Sequence, residues 1–68
     1  MFTKINIYDN INNRCRIAII DGYFNTIDDI LREAYKWLMD NKRKHQTYHI
    51  HASNYYGSNY FSMDEFNF

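Results

Sequence analysis

The sequence predicts an α+β domain. It expects a small three- or four-stranded, mostly antiparallel sheet, with one amphipathic helix packed on one face. Three observations lead there. Two stretches of alternating polarity flank a cluster of turn-forming residues near the N-terminus. A single capped stretch then repeats apolar residues at three- and four-residue spacing, and a third alternating stretch follows it.

The first element is a hairpin over residues 2–20. Thr3, Ile5 and Ile7 alternate with Lys4, Asn6 and Tyr8, the period-two pattern of a half-buried strand. Asp9-Asn10-Ile11-Asn12-Asn13 supplies turn chemistry, and Arg14 to Ile19 alternates again. Setting Ile5 opposite Ile17, and so Ile7 opposite Cys15, puts the odd positions on one apolar face. Lys4, Asn6, Tyr8, Arg14 and Arg16 then share the other. Asp21-Gly22 reads as the end of the second strand.

The second element is a helix over 26–42. Thr26 stands where an N-cap belongs, and Asp28 and Asp29 place carboxylates in the first turn, where the helix dipole favours them. Ile27, Ile30, Leu31, Ala34 and Leu38 form the buried stripe, with Trp37 at its rim. Lys42, Arg43, Lys44 and His45 follow at the end favoured by cations.

The third element is a strand over 46–52, with Tyr48, Ile50 and Ala52 on one face. Residues 53–68 form an aromatic tail or a second hairpin turning at Gly57. Ser62-Met63-Asp64-Glu65 matches a capping box and could open one last helical turn.

Size and composition narrow the function. The chain has 68 residues, one domain's worth, and a domain of that size buries only about 60% of its unfolded surface. Cys15 is the only cysteine, so no disulfide closes within the chain; it reads as a small buried apolar side chain in a reducing compartment. Neither a signal peptide nor an apolar run near the ~20 residues of a membrane span is present, so a cytoplasmic location away from membranes is expected. Eight basic residues balance eight acidic ones, which disfavours nucleic acid as the main partner. Asn, Ile, Tyr, Lys and Phe are abundant, Pro is absent and Gly occurs twice, a usage that suggests an AT-rich genome such as that of a phage or mobile element.

No catalytic pattern is evident. The serines lack a nucleophile-elbow context, and Gly22 and Gly57 stand alone, so there is no phosphate-cradling loop. His45, His49 and His51 share odd parity and would line one strand face, where imidazoles bind zinc if a fourth ligand is near. Without such a ligand they read as solvated polar residues. No metal and no cofactor is expected.

Two binding surfaces remain. The tail carries Tyr55, Tyr56, Tyr60 and Phe61, followed by Asp64 and Glu65, and no Lys or Arg occurs after Lys44. Rigid aromatic rings favour protein interfaces, and the acids would engage a basic partner, such as a nucleic-acid-binding protein. The leading expectation is therefore a non-catalytic protein-binding module. It would inhibit or redirect a host protein by occlusion, for example a component of a defence system such as CRISPR–Cas or restriction. The surplus of aromatics also suits a homodimer. The alternative is DNA or RNA binding through Lys4, Tyr8, Arg14 and Arg16 on the hairpin, with Lys42, Arg43 and Lys44 beyond the helix. The order of hairpin, Gly22-Tyr23-Phe24-Asn25-Thr26 and a helix bearing Ala34-Tyr35 distantly resembles AP2-type and integrase arm-type DNA-binding domains. That resemblance covers about half the chain and implies a small sheet lying in a DNA groove, braced by one helix. The chain departs from it in having only two strands ahead of the helix.

Overall fold

The computed structural model of the protein describes residues 2–11, 15–54 and 58–68. Among them are four strands and one helix: β1 (Phe2–Asp9), β2 (Cys15–Tyr23), α1 (Ile27–Asp40), β3 (Thr47–Asn54) and β4 (Asn59–Asn67). The strands form one antiparallel sheet in the order β2-β1-β3-β4. Two hairpins thus lie side by side, with the helix carrying the chain from the outer strand of the first to the inner strand of the second.

Register decides which side chains meet the helix. Ile5 pairs with Ile20 and with Ala52, and Ile7 pairs with Ala18 and with Ile50. These residues join Ile30, Ala34 and Leu38 of α1 and the buried Tyr48 in one core. The β1–β2 register is offset by three residues from the one the alternation suggested. The partners of Ile5 and Ile7 are Ile20 and Ala18, and Ile19 instead faces away from the helix. The register also shifts between Ile7 and Tyr8, because β2 holds an extra residue, Ile17, between the partners Ala18 and Arg16. An apolar run, Ile17-Ala18-Ile19-Ile20, satisfies the core in either parity, so its alternation does not fix the pairing.

Three further expectations are corrected. Asp21-Gly22 does not end β2, which continues to Tyr23. A Cβ on Gly22 would lie 3.0 Å from the Phe24 ring, so the bare glycine backbone makes room for that ring within the strand. Cys15 is exposed rather than buried. Ser62 to Glu65 lie inside β4 and start no helix: Ser62 and Met63 pair with His51 and Ile50 of β3, and Asp64 and Glu65 fall at a register shift before Phe66 pairs with Tyr48. The proposed turn at Gly57 falls outside the described residues, but the second hairpin itself is present as β3–β4.

The helix starts where Thr26 predicts and ends at Asp40, two residues short of the expected 42. Thr26 Oγ1 accepts the Asp29 N–H at 3.1 Å. At the other end Lys42 N–H donates to Met39 O and Arg43 N–H to Leu38 O, the paired bonds of a Schellman cap. Lys42 adopts the left-handed φ of 52° this cap requires. Trp37 and Leu31 are half-buried against the core.

Candidate functional site

The helix covers one face of the sheet, and among the described residues no element lies over the opposite face. Its side chains follow from the register. Lys4, Asn6 and Tyr8 of β1 stand beside Asp21, Ile19 and Arg16 of β2 on one side, and beside Ser53, His51 and His49 of β3 on the other. Arg16 reaches this face because the extra residue Ile17 resets the alternation; without the bulge it would point toward the helix.

The centre of the face is a polar network. Asn6 is almost buried and donates from Nδ2 to His51 O at 3.4 Å. His51 Nε2 lies 2.7 Å from Asn59 Oδ1, and His49 Nδ1 lies 2.8 Å from Asp64 Oδ1. The Tyr8 and His49 rings sit 5.4 Å apart, and Asn10 Nδ2 donates to Asp64 O at 2.8 Å. One flank is apolar instead. Ile19 is 47% exposed and Tyr23 is 78% exposed, the latter in edge contact with Phe2 at 5.4 Å. The face therefore combines aromatic rings, a solvent-facing isoleucine and charges of both signs.

The tail residues divide. Tyr60 is exposed at the β4 edge, as are Asp64 and Glu65. Phe61 is half-buried and packs against the core, as do Phe66 and Phe68. Tyr55 and Tyr56 lie outside the described residues. Phe68 closes one end of the molecule: its ring stacks on His45 at 4.7 Å and meets Tyr35 and Tyr48 edge-on. His45 precedes β3 and does not share a face with His49 and His51 as its parity suggested. Among the described residues, no three His, Cys, Asp or Glu side chains are grouped to hold a metal ion.

The basic residues also divide. Lys4 and Arg16 lie on the open face, about 13 Å apart by strand rise between their pairing positions, and Lys4 sits across from Asp21. Arg14 lies outside the described residues. Lys42, Arg43 and Lys44 are on the helix side, around a cavity of about 330 Å³ that also borders Asp9, Ile11 and Gln46. Asp9 gathers several polar groups of that cavity. Asp9 Oδ1 accepts from Ile11 N at 2.8 Å and Gln46 Nε2 at 3.1 Å, and Asp9 Oδ2 pairs with Arg43 at 3.4 Å. This cluster joins the first hairpin to the segment after the helix, and sequence reasoning missed it. Asp9 reads as a turn residue, and only the fold brings it to residues more than thirty positions away.

No helix among the described residues is long and apolar enough to cross a membrane. Comparison with known families, with curated proteins and with solved structures gives no match.

Proposed function

We propose that the chain is a non-catalytic protein-binding module that acts by covering part of a partner's surface. Its contact area is the open sheet face together with the β4 edge. The supporting observation is the make-up of that face. Tyr8, Tyr23 and Phe2 lie with Ile19 beside Arg16, the aromatic and arginine side chains that protein interfaces favour, while Lys4, Asp21 and Asp64 supply charges of both signs for a polar rim. Tyr60, Asp64 and Glu65 extend the area along β4, whereas Phe61 supports the fold beneath it. Covering a host protein, and so inhibiting it, requires no cavity, which suits a chain of this size.

The test is affinity capture from host lysate with tagged protein, with and without nuclease. A stoichiometric protein that survives nuclease, and is lost with the double variant Tyr23→Ala/Tyr60→Ala while circular dichroism is unchanged, supports the reading. Capture undiminished by that variant refutes the surface.

A second reading has one observation in its favour. Tyr8 and Arg16 are cross-strand partners on an uncovered sheet, which suits base stacking beside a phosphate contact. The acids Asp21 and Asp64 on the same face oppose it. Under this reading, nucleic acid is recovered, its binding weakens steeply with salt, and Arg16→Glu abolishes it.

A further inference from the structure

We infer that β2 is a self-association edge, at which a second copy of this chain adds its own β2 antiparallel to the first and extends the sheet across a two-fold axis. The sheet has two outer strands, and they differ. β4 carries exposed Asp64 and Glu65 and no basic residue, so it offers no opposite charge to a second β4. β2 is nine residues long, with Ile17-Ala18-Ile19-Ile20 in its middle and charges of opposite sign on either side, Arg16 and Asp21. Such an edge presents unpaired backbone groups and apolar side chains together, the combination that invites strand addition.

The occupant follows from the charge pattern. Pairing with Tyr8, Asn6 and Lys4 places Arg16, Ile19 and Asp21 on the same face of the sheet. A two-fold axis through Ile19 sets Ile19 against Ile19 of the second copy and Ala18 against Ile20. It also sets the bulged pair Arg16-Ile17 against Asp21. Symmetry makes each contact twice, so two Arg–Asp pairs form around the apolar centre. The bulge is necessary to this match, because in a regular strand Arg16 and Asp21 would project to opposite faces. From Ala18 to Tyr23 the strand stays in regular register. The complementarity lies within one strand, between its own two halves, so the fitting partner is that same strand reversed. Net charge is zero, so no general repulsion opposes the encounter. The axis stands perpendicular to the sheet, which keeps both helices on one side and joins the two open faces into a continuous surface of eight strands.

The test is sedimentation equilibrium of the full chain and two charge variants, up to millimolar concentration. Wild type should approach twice the 8.4 kDa chain mass. Arg16→Asp and Asp21→Arg each place only like charges across the axis. Each alone should associate roughly tenfold more weakly or worse. An equimolar mixture of the two should recover association, because every contact then joins Asp to Arg. Ile19→Lys, at an exposed position, should be monomeric with an unchanged circular dichroism spectrum. The inference is overturned if wild type stays at the monomer mass, if either charge variant associates as well as wild type, or if the mixture of folded variants stays monomeric.

Discussion

Asp9 shows how one side chain can hold several segments. Its carboxylate takes bonds from the hairpin turn, from Arg43 past the helix and from Gln46 before β3, and the residue is only 8% exposed. Removing an acceptor leaves its donors unsatisfied in a poorly solvated place, which costs more than the bonds themselves contribute. Asp9→Ala is expected to destabilise by about 2–3 kcal/mol, read as a lower denaturant midpoint at constant slope. Asp9→Asn keeps an oxygen for Ile11 and Gln46 but turns an NH2 group toward Arg43, losing both the acceptor and the charge there, so its cost should be about 1–2 kcal/mol. Lys42 is a second single-residue lever. It holds a left-handed φ of 52° at the position where helices favour glycine. Lys42→Gly removes the steric cost of that conformation, and a gain of about 0.5–1 kcal/mol is expected in thermal or chemical unfolding, net of added chain entropy.

At the scale of elements, β4 separates neighbouring aromatics by role. Phe61 pairs with Ala52 and packs on the core, whereas Tyr60 stands exposed beside it at a register shift. Phe61→Ala is expected to cost about 2–4 kcal/mol through lost apolar burial. Tyr60→Ala should stay within about 0.5 kcal/mol, as surface substitutions usually do. Equal losses in paired melts would contradict the assignment of Phe61 to the core and Tyr60 to the surface. Such sorting was not readable in the sequence, where Ser53 to Phe61 offers turn residues and rings without a period and Ser62 to Glu65 imitates a helix start. The helix was readable almost to the residue, because Thr26, the two acids after it and the stripe Ile30-Ala34-Leu38 each report the same local geometry. The first hairpin was readable as a hairpin but not in register. Ile5 and Ile7 alternate cleanly, yet four consecutive apolar residues in β2 accept several pairings. A bulge at Ile17 leaves no local mark, since only the partner strand reveals it. Alternation alone places Lys4 and Tyr8 on the outer face, whereas the arrival of Ile19 and Tyr23 there beside Arg16 depends on the bulge.

For the molecule as a whole, stability is the scarce quantity. At ~0.05–0.15 kcal/mol per residue, a 68-residue chain has a total of about 3–10 kcal/mol. One core truncation is a large part of that, and a bound second copy is a sizeable addition to it. Association that requires the folded state makes the melting temperature depend on concentration. Wild type should therefore melt higher as protein concentration rises, whereas Arg16→Asp should melt at one temperature throughout; differential scanning fluorimetry over a dilution series distinguishes the two. The strand order carries one more consequence, for the chain as it is being made. β1 holds an inner place in the sheet, but its neighbour β3 leaves the ribosome only after β2 and the entire helix, roughly 40 residues and about 2–8 s later at ordinary elongation rates. Throughout that interval the sheet holds at most the β1–β2 ribbon, marginal by itself in water, and Ile5 and Ile7 wait for the cover that the packed helix and β3 complete. Chaperones that survey emerging polypeptides meet, for those seconds, the residues that the finished protein hides most completely.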